Sequence, residues 1–242
     1  MMRMAMRMSL GDARQVVRDP VLLMSMLAPL LMALVIRLGV PFADGLAEER
    51  IGISLLGHEP FLISFLLSAT PLMLGLLIGF LLLEERDEEM LAYLAITPLG
   101  KIGYLCYRLI SPVLLSVIFS LIGFLVAGVE APDALHLWPV LLMLALEAPL
   151  LALMMGVFAG NKVEGLALSK AAGVLFVAPV VAYFVTGPWQ WAAGVLPTFW
   201  AVKAFLASGV GESVYWLYIG VGIPFHALLL VLLVKKLNAK GS

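Results

Sequence analysis

A chain of 242 residues that is 63% hydrophobic and only 13% charged, with a mean hydropathy of +1.08, lies far outside the range of a soluble domain. Its one cysteine, Cys106, excludes an intramolecular disulfide and a cysteine-built metal site; the formal net charge of −1 says little beside the distribution of charge, and no nucleic-acid partner is expected. The composition is that of an integral membrane protein, read below as one all-α transmembrane unit over 1–242 with no soluble domain large enough to fold alone.

Residues 3–18 are too polar to span. Arg3, Arg7, Arg14 and Arg18 fall within an arc of about 60° on a helical wheel, with Met4, Met8 and Val16 elsewhere. The pattern predicts an interfacial helix whose arginines lie among lipid headgroups, against the plainer alternative of a basic tail. The first long apolar run begins near Pro20 and is too long for a signal-peptide core.

Crossing about 30 Å of hydrocarbon takes about 20 residues. Six runs qualify, at 20–40, 60–83, 105–128, 138–159, 166–186 and 214–234. Pro29, Pro71, Pro112, Pro149, Pro179 and Pro224 sit inside them, which a bundle of neighbouring helices tolerates as packing kinks.

Between the second and third runs, Glu84 to Glu89 are six consecutive charged residues, so the chain must leave the membrane there. Met90, Leu91, Leu94 and Ala95 then recur at helical spacing, with Asp87, Glu88 and Tyr93 on another face. Pro98 and Gly100 end that short helix, and Lys101 and Arg108 anchor the third run. A short amphipathic helix between two spans is a shape suited to receiving force from a soluble partner; the alternative is a solvated acidic loop.

Twelve of the fifteen lysines and arginines fall on one side of the membrane, at the N-terminus, 84–108, 160–170 and the C-terminal tail; only Arg37, Arg50 and Lys203 face the other. The positive-inside rule therefore places both termini in the cytoplasm. Of the external segments, 41–59 reads as acidic and irregular and 129–137 as a short turn. Residues 187–213, with Trp189, Trp191, Phe199, Trp200 and Phe205, read as two short helices at the outer leaflet or as an aromatic belt.

Catalytic material is sparse. His58, His136 and His226 lie in different segments without a second ligand at metal spacing. Glu84–Glu85 matches the start of an intramembrane-protease EExxxR motif, but Glu89 stands where its arginine belongs; Gly100–Lys101 lacks the rest of a P-loop. Glu147, near the middle of the fourth run, is the exception. An ionisable residue at that depth either fixes one helix to another, through a partner such as His226, or lines a substrate path.

Several features resemble the permease subunits of ABC-2-type exporters: the basic entry helix, Arg18–Asp19–Pro20 before the first run, and E-E-R-x-E-x-M-L-x-Y-L-x-x-T-P-L from Glu84 to Leu99. Acidic residues stand where that family's consensus carries Gly-Thr. Asn161 to Gly165 and Leu196 to Trp200 look like a subgroup that includes fluoroquinolone-export permeases. The resemblance implies a coupling helix at 86–97, in which Asp87, Glu88, Glu89, Met90, Leu91, Tyr93 and Leu94 contact an ATPase. It also implies a smaller contact at 161–165 through Lys162 and Glu164, and short external helices before the sixth span. Two such units would pair, as homodimer or heterodimer, above two ATPase subunits that carry ATP and Mg. The chain itself would hold no cofactor and have no enzymatic activity. It would sit in a prokaryotic cytoplasmic membrane and export a hydrophobic or amphipathic compound. The rival readings are an ion-coupled transporter using Glu147 as proton carrier and an intramembrane protease.

Overall fold

The computed structural model describes residues 2–88, 100–209 and 212–240; within these, the side chains of 2–8, 10, 100–102, 212, 238 and 240 stand outside the description. The described residues are helical and include no strand. Six helical segments are long and apolar enough to cross a membrane: Pro20–Ile51, Leu56–Asp87, Gly103–Ala127, Ala134–Phe158, Lys162–Phe184 and Ser213–Leu237. Each overlaps one of the six apolar runs, and they are numbered spans 1 to 6 below.

Helix α1 (Met2–Arg18) precedes span 1. Asp19 ends it and caps the next helix, accepting from the backbone N–H groups of Val21 (2.8 Å) and Leu22 (3.3 Å), with Pro20 as the first residue of α2 (Pro20–Leu34). Span 1 then widens into a π turn at Val35–Gly39 and continues as α3 (Val40–Ile51). Pro41 has no N–H to give the Arg37 carbonyl, and the wider turn lies next to that gap. The acidic stretch expected to be irregular after residue 40 is therefore helical to Ile51. Asp44 closes its far end, accepting from Ser54 Oγ (3.0 Å) and the Leu56 N–H (2.9 Å).

Span 2 is centred on α4 (Glu59–Asp87), span 3 on α5 (Gly100–Ala127) and span 4 is α6 (Ala134–Phe158). Spans 2 and 4 form the centre of the bundle, with 89% and 83% of their most apolar windows buried against 17% for spans 1 and 6. Their axes approach closely at Gly75, where an added Cβ would lie 2.6 Å from the Ala148 carbonyl oxygen. Small residues at such crossings are what allow membrane helices to pack by van der Waals contact. Leu66, Leu67, Leu141, Leu144 and Tyr215 fill one half of the core. Leu22, Leu81, Leu83 and Met155 fill the other, with Val16 of α1 packed among them.

Span 5 is broken. It runs as α7 (Lys162–Ala172), a 3₁₀ turn at Gly173–Phe176, and α8 (Val177–Phe184). Pro179 leaves the Leu175 carbonyl without its helical donor, and the buried Thr198 hydroxyl supplies the bond instead, at 2.9 Å. Thr198 belongs to α9 (Pro197–Ala207), which follows a 3₁₀ segment at Pro188–Val195. Two short helical pieces thus occupy the segment before span 6, which is α10 (Glu212–Lys240).

Candidate functional site

The charges at the end of span 2 do not leave the protein. Helix α4 stays helical through Asp87, and its last four residues reach spans 3, 4 and 5 between them. Glu84 accepts from Lys162 Nζ at 2.9 Å; the same ammonium donates to Asp19 at 2.8 Å, tying the starts of spans 1 and 5 to the end of span 2. Lys162 is the first cause of the lowered pKa of Asp19, ahead of the backbone donors Val21 and Leu22; burial opposes them. Arg86 donates to the carbonyls of Gly156 (2.7 Å) and Ala159 (2.8 Å), satisfying the end of α6 where the helix dipole favours a cation. Asp87 accepts from the Lys162 N–H at 3.0 Å.

Glu85 enters a buried cluster. Arg108 of α5, wholly buried, donates to both Glu85 oxygens and to both Asp12 oxygens of α1, the latter at 2.8 and 3.1 Å. Tyr104 donates to Glu85, and Tyr107 to Asp12 at 2.7 Å. Arg108, expected from sequence to be an anchor at the membrane boundary, instead forks between two carboxylates inside the protein. Asp12, Tyr104 and Tyr107 were not singled out by sequence, and Glu85 was noted only within the charged run and as part of an incomplete EExxxR motif. The available signal was Asp12, which lies about 160° from Arg14 on the wheel, on the face with buried Val16 and opposite the exposed Arg14 and Arg18.

Beside this cluster lies an open cleft of about 660 Å³, walled by Arg14, Arg18 and Gln15 on one side and by Glu84 and Glu88 on the other. Glu88 is exposed at its rim. Of the remaining predicted coupling residues, Glu89, Met90, Leu91, Tyr93 and Leu94 lie outside the described residues. Asp87 and Lys162 hold one another as above. Glu164 turns back to the Gly160 N–H at 2.6 Å, while the Asn161 side chain accepts from the Glu164 N–H, a local box that starts α7.

Glu147 and His226 meet at mid-span. The carboxylate Oε1 lies 3.7 Å from the imidazole Nε2, both side chains are fully enclosed, and neither facing atom has a hydrogen-bond partner among the described residues. His226 Nδ1 donates to the Gly222 carbonyl at 2.7 Å, which leaves Nε2 as the atom turned to Glu147. Glu147 also lines an apolar groove of about 380 Å³ between spans 2, 4, 5 and 6. Among the described residues, no cluster of His, Cys, Asp or Glu could hold a metal ion.

Six membrane-length helices, bound at one end by ion pairs and crossed by an ionisable pair at mid-depth, define a multi-pass membrane protein of the transporter kind. Residues 12–234 match the model of the Rv2686c-like fluoroquinolones export permease family, and the chain belongs to it. It is 30% identical over 235 residues to the fluoroquinolones export permease proteins Rv2686c and MT2760 from two strains of Mycobacterium tuberculosis, covering 96% of this chain and 93% of each relative. No solved structure matches it.

Proposed function

We propose that this chain is the membrane subunit of an ATP-driven exporter of the ABC-2 type. Two permease units pair in a prokaryotic cytoplasmic membrane with all termini inside, and two separate ATPase subunits hold ATP and Mg. The cargo is a hydrophobic or amphipathic compound, and the chain itself catalyses no reaction. The observation that carries this reading is the clasp at the end of span 2. Glu84, Glu85, Arg86 and Asp87 connect that helix to α1 and to spans 1, 3, 4 and 5. A push delivered just beyond Asp87 therefore reaches most of the bundle through ionic and hydrogen-bonded contacts rather than through a loose loop.

In this reading the segment after Asp87 docks on the ATPase, with Glu88, Glu89 and Tyr93 outermost and Met90, Leu91 and Leu94 seating the short helix. The cleft beside it, with arginines on one wall and carboxylates on the other, favours a partner segment of mixed charge. Asp87, Lys162 and Glu164 support that surface from within, and Glu147 with His226 lies on the cargo's path. The test is to find an adjacent reading frame that encodes an ATP-binding cassette and to co-express the two. The reading expects a co-purifying complex whose hydrolysis is stimulated by amphipathic drugs; a permease that transports without any ATPase refutes it.

A second reading rests on the Glu147–His226 pair, an enclosed ionisable pair at mid-span that would serve as the proton carrier of an ion-coupled transporter. It requires Glu147→Gln to abolish flux between about pH 6 and pH 8, whether or not ATP is present.

A further inference from the structure

Glu147 is the most anomalous side chain in the molecule. Both of its oxygens lack a hydrogen-bond partner among the described residues, it is 1% exposed, and it lies on the wall of a groove rather than in a packed core. Leu72, Met154, Leu175 and Leu229 make the groove apolar, and the half-exposed Phe158 and Leu232 flank its opening. Its volume of about 380 Å³ is that of a site for a drug-sized molecule. Lys236 stands at the mouth, its Nζ 4.3 Å from the centre of the Phe158 ring, ten residues and about 15 Å of helix beyond His226.

The groove is thus graded. An apolar groove runs from a cation at its mouth to the side chain of Glu147, whose unpartnered carboxyl is enclosed at its wall. Because His226 Nδ1 is committed to the Gly222 carbonyl, its Nε2 turns a lone pair toward Glu147 Oε1 at 3.7 Å; a bare carboxylate facing that lone pair in an apolar site is prohibitively costly, so Glu147 carries a proton. The pair is neutral overall with that proton in place, and it becomes an anion when the proton leaves.

We propose that this groove is a binding site for lipophilic amines, entered sideways from the bilayer, in which the Glu147 carboxyl turns into the groove and the ligand's ammonium replaces the proton it carries. The inference rests on the reading of the chain as an export permease and names the chemistry of what it accepts. One protonated amine enters, one proton leaves, and the charge of the buried site is unchanged. The apolar part of the ligand lies along Leu229 and Met154, with its far end toward Lys236. Lys236 is the other titratable group lining the groove, and His226, which does not line it, faces Glu147; the contributions of spans 2 and 5 and of α9, namely Leu72, Leu175 and Pro197, are apolar.

The test uses the purified full chain in lipid nanodiscs without any ATPase, so its outcome is separate from that of the export reading. Propranolol is the probe, and its N-acetyl derivative is the uncharged control. The proposal expects saturable propranolol binding, release of one proton per ligand into weakly buffered solution, and affinity that rises about tenfold per pH unit while the pair still holds its proton. The N-acetyl derivative should bind at least tenfold more weakly and release nothing. Glu147→Gln should lose both binding and proton release, while His226→Gln should keep binding with a shifted pH profile. If Glu147→Gln does not fold, proton release from the unaltered protein decides alone. Binding without proton release overturns the proposal, as does equal binding of the two compounds. Failure of propranolol to bind, as when a second permease seals the groove, overturns it too.

Discussion

Arg108 offers the sharpest test of how the charge-rich end of the bundle is held. Replacing it with methionine keeps an unbranched side chain of similar length but leaves Asp12 and Glu85 facing each other without a cation. Four side-chain hydrogen bonds are lost, two to each carboxylate. Removing one partner of a buried ion pair costs about 3–5 kcal/mol, because the other charge stays buried and unpaired. The lower end of that range applies here, since Asp12 is 19% exposed and can turn to water while Glu85 cannot. A loss near 3 kcal/mol is about two orders of magnitude in the ratio of folded to unfolded protein. It would be read from reversible unfolding of the purified chain in mixed micelles, followed by circular dichroism. Adding Glu85→Gln removes one orphaned charge, so the double variant should be less destabilised than the sum of the singles. An Arg108→Met protein within about 0.5 kcal/mol of the parent, a change typical of an unconstrained surface site, would show that the cluster does not hold α1 and span 3 to span 2.

Gly75→Leu forces spans 2 and 4 apart at the Ala148 carbonyl and should destabilise by about 1–3 kcal/mol in the same assay; an unchanged midpoint would mean the helices do not cross there. The folded-state pKa of Asp19 is lowered, chiefly by Lys162, so its contribution to stability is present above the unfolded value and lost as pH falls through the folded one. Lys162→Ala should therefore shrink the acid-side loss of stability and leave the neutral-to-alkaline side with little pH dependence; an unaltered acid profile speaks against the clasp. For orientation, Leu46→Cys and Asp133→Cys in a Cys106→Ser background should react with an impermeant thiol reagent from outside intact cells. Glu88→Cys should not, and the opposite pattern would invert the topology.

The spans were legible because a run of about 20 apolar residues has one physical outcome in a bilayer. Helix α3 was not, because acidic residues after Val40 read as a loop by composition, while the continuing backbone is set by a π turn beside Pro41. The short helices before span 6 were legible from Pro188 and Pro197, each of which opens one of them. What they do for span 5 was not. That Thr198 replaces the donor missing at Pro179 depends on how α9 lies across the bundle. The same holds for the site. Glu147 stood out as a lone carboxyl in an apolar run, and His226 as a possible partner. The fork from Arg108 to Glu85 and Asp12 joins residues 23 and 96 positions apart. No local pattern encodes it, because it depends on the rotation of three helices about their axes. The consecutive charges of span 2 looked solvated when read as a string. Read around a helix, they reach spans 3, 4 and 5 between them.

The central claim is that force enters this permease just beyond Asp87, and the most direct measurement reverses the charges there. Glu88→Lys/Glu89→Lys lies outside the hydrocarbon and adds positive charge on the side where it is already concentrated, so membrane insertion should survive. Like-charge contact at a partner's basic surface can cost several kcal/mol, and 1.4 kcal/mol is already tenfold in affinity. The account predicts a folded, inserted variant that loses its ATPase on purification, or keeps it without cargo-stimulated hydrolysis, with export falling at least tenfold. Transport at the parental rate, with the ATPase bound in parental stoichiometry, would contradict it.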